Sequence, residues 1–163
     1  MLSEAITTVY TIDMSKLLKQ TLIGKKIIAE DNIARQNLQS ENDELEENLL
    51  FEEKELSDMR KTLTLDEFRI KAQEFDKKVT IIRTEQGQKE QYLIAENRKN
   101  ENDFFKKIYP LLYGLLSEKG GLILLDQRNA VLWDSSVDLT IDAINLIDRV
   151  LGDNLSEFKR LVN

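Results

Sequence analysis

The chain has 163 residues, of which 41% are hydrophobic and 33% charged, and its single proline leaves room for long helices rather than a compact globule. Lys and Arg number 23 against 30 Asp and Glu, a net charge of −7, so the basic surface that drives nucleic-acid binding is missing at the whole-chain level. With no histidine and no cysteine, the chain lacks imidazole bases, thiolate nucleophiles, disulfides and nearly every zinc, haem or iron–sulfur ligand set.

In chain order, residues 6 to 13 are β-branched and aromatic and are expected to form a strand, with Ile6, Tyr10 and Ile12 on one face and Val9 on the other. From about Ser15 to Glu118 only Gly24, Gly87, Pro110 and Gly114 interrupt a highly charged helical pattern. Midway, Thr64 and Glu67 have the spacing of a capping box and Leu63 and Phe68 that of a hydrophobic staple, so the helix is expected to reverse there. Beyond Gly120-Gly121, an expected helix stop, residues 122–126 and 130–133 flank Gln127-Arg128-Asn129 and suggest a β-hairpin. Thr140 is expected to cap a helix running to Leu151 and ended by Gly152, and the remaining residues either form one more short helix or fray.

Apolar periodicity tests the reversal independently. In the first half Ile23, Ala34, Leu45 and Leu56 recur every eleven residues, as do Ile27, Leu38 and Leu49. In the second half Phe68, Ala72, Phe75, Val79 and Ile82 follow steps of four and three, as do Phe104, Ile108, Leu111 and Leu115. A turn near Leu63 and Thr64 makes facing residue numbers sum to about 127, so that Leu45 meets Ile82, Leu49 meets Val79 or Lys78, and Ile23 meets Phe104. The rest of the chain is close to the size at which a lone core is marginal. It is therefore expected to self-associate through Tyr10, Ile12, Leu122, Leu124, Val131 and Trp133, the alternative being an intramolecular three-stranded sheet covered by the C-terminal helix.

Catalysis is not expected. Glu46-Glu47 and Glu52-Glu53 lack the histidines of a di-iron helical site, and Gly24-Lys25-Lys26 lacks the upstream glycine and the Ser or Thr of a phosphate-binding loop. Asp126 and Arg128 read as a turn held by polar contacts. No cofactor or metal is expected.

The opening Val9-Tyr10-Thr11-Ile12-Asp13-Met14, the charged helical hairpin, the run from Leu122 to Trp133 and the Asp138-Leu139-Thr140-Ile141-Asp142 segment together resemble the Skp/OmpH family of periplasmic chaperones. The resemblance implies a mostly α member of the α+β class: a jellyfish-like homotrimer in which a long antiparallel helical-hairpin arm projects from a small β-rich base. The base would comprise residues 1–20 and 115–163, and the coiled-coil arm residues 21–114. It further implies an ATP-independent holdase that encloses unfolded outer-membrane β-barrel proteins between its arms. The location implied is the periplasm; Met1-Leu2-Ser3-Glu4-Ala5 has no basic segment followed by an apolar core, so a secretory signal is either absent or already removed, and the implied location requires the second. Client contact is expected at Phe51 and Tyr92, which lie off the best seam, and at Leu38, Leu45, Leu49 and Phe75, with Gly87 and Pro110 as hinges. A structural coiled-coil scaffold or tether without chaperone activity is the alternative.

One feature departs from the resemblance. Family arms are often basic, whereas residues 41–58 hold nine acids against Lys54 alone. A face of that sign repels anionic lipid surfaces within a screening length of about 8 Å, so neither stable membrane insertion nor docking through this stretch is expected.

Overall fold

The computed structural model describes residues 9–162; Ile6 and the rest of residues 1–8 lie outside the described residues. The elements are β1 (Val9–Ile12), α1 (Met14–Gln20), α2 (Leu22–Met59), α3 (Leu65–Glu118), β2 (Ile123–Asp126), α4 (Thr140–Leu151) and α5 (Leu155–Val162). They divide into two compact units, one of residues 9–30 and 98–162 and the other of Asp31–Asn97.

In the first unit β1 and β2 form a parallel pair, with Val9 opposite Ile123, Tyr10 opposite Leu124, Thr11 opposite Leu125 and Ile12 opposite Asp126. The Leu139 N–H donates to the Thr11 carbonyl at 2.9 Å, beside a bridge between Thr11 and Asp138. Asp13 caps α1 by accepting from the Lys16 N–H at 3.0 Å. Thr21 separates α1 from α2: its hydroxyl donates to the Leu17 carbonyl at 2.7 Å and accepts from the Gly24 N–H at 3.2 Å. The core joins Ile12, Leu17, Ile23 and Ile27 to Phe104, Ile108 and Leu112 of α3, and is covered by Ala143 and Ile147 of α4 and Phe158 of α5.

The expected β-hairpin after Gly121 does not form. Gln127–Asn129 is a single 3-10 turn, capped by Asp126 accepting from the Arg128 N–H at 2.9 Å, and residues 130–134 form no strand. A two-residue hairpin turn of the favoured type needs left-handed backbone, and among the described residues only Gly120 and Gly152 have positive φ. Gln127 is also buried, with its amide donating to the Thr11 hydroxyl at 3.4 Å, so the link is anchored inward instead of forming a turn tip. The expected stop at Gly120 does form, with φ +71° and the Gly121 N–H donating to the Leu116 carbonyl at 2.9 Å.

Thr140 differs from its expected role too. It is the first residue of α4, and its hydroxyl accepts from the Asp13 N–H at 2.9 Å and donates to Asp138, tying the starts of α1 and α4 together. Gly152 ends α4, and the chain goes on into α5.

The second unit is a helical hairpin from α2 and α3. The capping box closes as the sequence indicates: the Thr64 N–H donates to Glu67 at 3.0 Å, and the Glu67 N–H donates to the Thr64 hydroxyl at 3.4 Å. Half-buried positions recur at Ala34, Leu38, Asn42, Leu45, Leu49, Glu52 and Leu56 on α2, and at Phe68, Ala72, Phe75, Val79, Ile82 and Gln86 on α3. Cross-helix pairs report the register. Glu41 with Gln86 sums to 127, and the ion pairs Glu41–Lys89 and Glu52–Lys78 both sum to 130, within one helical turn of the expected alignment. No residue between 31 and 97 is fully buried, as a two-helix layer requires.

Candidate functional site

The described residues leave large apolar side chains exposed in both units, beside grooves whose walls carry charge. Among the described residues no cluster of acidic side chains is arranged to hold a metal ion, and no helix is long and apolar enough to cross a membrane.

In the hairpin unit Phe51 and Tyr92 are 62% and 64% exposed, while Leu38, Leu45, Leu49 and Phe75 are half-buried along the seam. Leu38 and Tyr92 line one open groove of about 550 Å³, together with Ala34, Asn37 and Glu41 from α2 and Glu85, Gln88, Lys89 and Leu93 from α3. Helical spacing explains its walls. Ala34, Leu38 and Glu41 follow steps of four and three on α2, and Glu85, Lys89 and Tyr92 do the same on α3. Lys89 and Gln86 both donate to Glu41 and hold its carboxyl below the usual carboxylate range. At the end of the unit Asn97 lies between Asp31 and Arg35; with its amide turned so that the NH2 faces Asp31 and the oxygen faces Arg35, it donates at 2.9 Å and accepts at 3.0 Å, a polar cross-link between the helices. Phe75 lines a separate hollow with Leu56 and Met59, while Phe51 lines neither.

Charge is distributed unevenly between the two units. Residues 31–97 hold 17 acidic and 10 basic side chains, and the rest of the chain holds 13 of each, so the whole excess of −7 belongs to the hairpin unit.

In the strand-bearing unit the six residues expected to mediate self-association are placed differently from one another. Ile12 is 1% exposed and packed in the chain's own core, while Tyr10 and Leu124 are half-buried register partners, with the Tyr10 hydroxyl donating to the Lys119 carbonyl at 3.1 Å. Leu122, Val131 and Trp133 are 76%, 93% and 44% exposed, beside Leu132 at 89%. A hollow of about 490 Å³ on this unit is lined by Phe105, Tyr109 and Tyr113 with Leu124, Asp126 and Arg128. At its edge the Arg128 guanidinium donates twice to Asp126, at 2.6 and 3.0 Å, and keeps that carboxyl below its usual range. Sequence reasoning missed Tyr109 and Tyr113. Their signal is an i, i+4 aromatic pair off the buried Phe104, Ile108, Leu112 and Leu115 stripe. The two expected hinges both lie within the unbroken α3: a side chain at Gly87 would meet no atom within 4 Å, and Pro110 is exposed.

No curated protein matches the chain. Among solved structures, one from Caulobacter crescentus CB15, described as a candidate outer membrane chaperone (OmpH-like), superimposes with a TM-score of 0.84 at 17% identity, covering 92% of this chain and 89% of that one. At that identity the likeness establishes the fold: long helices with a short strand pair. The sequence profile described as Outer membrane protein (OmpH-like) matches residues 8–147, and with that span the chain belongs to the OmpH-like family.

Proposed function

We propose that this protein is an ATP-independent holdase chaperone of the periplasm, which joins as a homotrimer and shields unfolded outer-membrane β-barrel proteins from aggregation. The observation that carries the reading is the hairpin unit, a two-helix layer with no fully buried residue and with Phe51 and Tyr92 more than half exposed. Family membership and the chaperone description of the structurally similar protein from Caulobacter crescentus support it. In this reading residues 1–20 and 115–163 form the trimerisation base, with exposed Leu122, Val131 and Trp133 as its sticky surface, and residues 21–114 supply the coiled-coil arm.

The mechanism requires no chemical step. Side chains such as Phe51 and Tyr92 make weak contacts with apolar stretches of a client, each worth on the order of 1 kcal/mol or less at a half-exposed site. Three hairpins around one client raise the local concentration of those contacts, so the complex persists while each contact exchanges quickly. Leu38, Leu45, Leu49 and Phe75 contribute through the parts of the seam left open to solvent.

The test is light scattering during dilution of a urea-unfolded outer-membrane β-barrel protein, with wild type and a Phe51→Ser, Tyr92→Ser double variant. Wild type suppresses scattering at about one trimer per client, and the double variant needs two- to fivefold more protein. Suppression curves that coincide would remove these two residues from the role, and trimers that never suppress scattering would make the protein a structural coiled coil.

A further inference from the structure

We propose that the groove between Ala34–Leu38 and Glu85–Tyr92 seats a lysine or arginine side chain of an extended, unfolded polypeptide, so that the hairpin selects cationic stretches of its clients. The inference rests on the chaperone reading and names the chemistry of its contacts.

The groove walls match the parts of such a side chain. Ala34, Leu38 and Leu93 offer an apolar floor for an aliphatic stem. Tyr92 offers an exposed aromatic ring at the rim, a favourable seat for an ammonium or guanidinium group. The charges on the walls do not cancel. Lys89 is taken up by Glu41, whereas the Glu85 carboxylate makes no ion pair or hydrogen bond among the described residues. One unmatched negative charge therefore remains at the groove, inside the unit that carries the whole excess of −7. An acidic client segment would meet that charge and the surrounding field with the same sign; an apolar segment alone would leave it unused. An extended chain suits the open form of the groove, and its alternating side chains would let one basic residue enter while its neighbours point away.

The experiment uses the full chain and three fluorescently labelled peptides of equal length, in which phenylalanine alternates with arginine, with serine or with glutamate. Binding is followed by anisotropy at low ionic strength and again at about 1 M salt, where fields between exposed charges are screened. The arginine peptide is expected to bind about fivefold more tightly than the serine peptide, as one exposed ion pair and one cation–π contact allow. That preference should fall below about twofold in Glu85→Gln and in Ala34→Trp, which fills the floor, and persist in Glu90→Gln, which removes the same charge from α3 outside the groove. Circular dichroism and oligomer mass of the variants confirm that they fold.

Equal losses in Glu85→Gln and Glu90→Gln would overturn the groove in favour of a diffuse acidic field, and equal binding of all three peptides would overturn the selectivity altogether. Suppression of client aggregation with no peptide preference would reject this site and leave the chaperone reading standing. A Glu85-dependent preference without suppression of aggregation would uphold the site and reject the chaperone.

Discussion

At Gly24 a missing side chain sets the join between α1 and α2. A Cβ built there would lie 2.0 Å from the Leu18 carbonyl oxygen and 2.8 Å from the Thr21 hydroxyl, so only glycine lets α1 end against the first turn of α2. In the sequence Gly24 shows only as an interruption in a helical pattern. Its reason is a close approach that needs Thr21 folded back onto Leu17. Asp138 is similarly hidden. Partial burial pushes its carboxyl upward, but the Thr140 hydroxyl and N–H and the Gln127 amide outweigh that and hold it below the ordinary value of 3.8. A carboxyl lowered by folding contributes stability that is fully present above its unfolded value and lost as pH falls through the folded one. The urea midpoint of wild type should therefore drop as the pH falls below about 4, and Asp138→Asn, less stable at neutral pH, should show a shallower drop. Parallel acid limbs for the two proteins would assign the loss to other carboxylates.

The elements differ in how far local sequence determines them. The reversal at Thr64 was legible because capping and staple positions lie within five residues, and the seam was legible because Leu38, Leu45, Leu49, Phe75 and Val79 repeat along single helices. The hairpin expected around Gln127 failed because its outcome depends on distant partners: β2 pairs with β1 more than a hundred residues earlier, and Gln127 is drawn to Thr11. The groove at Glu85 and Tyr92 escaped notice for a related reason, since its walls come from two helices whose facing residues are about fifty positions apart. Gly87 belongs to this scale. With open space around its absent side chain, Gly87→Ala should raise hairpin stability by about 0.5–1 kcal/mol in chemical denaturation. If Gly87 is also a hinge, spin-label distances between hairpin tips of neighbouring copies should narrow in the variant; superimposable distributions would leave Pro110 as the remaining candidate.

For the whole molecule, the mostly helical plan was legible in the charge and apolar pattern and the family was legible as a resemblance carried by residues 9–14, 122–133 and 138–142, while the assembly was not, because a single chain shows only which apolar side chains it leaves exposed. Ile12 is spent on the chain's own core, whereas Val131 and Trp133 face solvent. Light scattering of wild type is expected to give about three times the 18.9 kDa chain mass, and Val131→Ser with Trp133→Ser should lower it toward a single copy. A wild-type mass of one chain, unchanged on concentration, would end the trimer proposal.

The hairpin's thin seam has a consequence for how such a molecule can vary. With no fully buried residue between 31 and 97, cohesion there is a string of modest, nearly independent steps, much as in a repeat protein. Removing one matched rung from both helices shortens the reach without unravelling what lies on either side. The length of the hairpin can then change while the strand-bearing unit is left untouched.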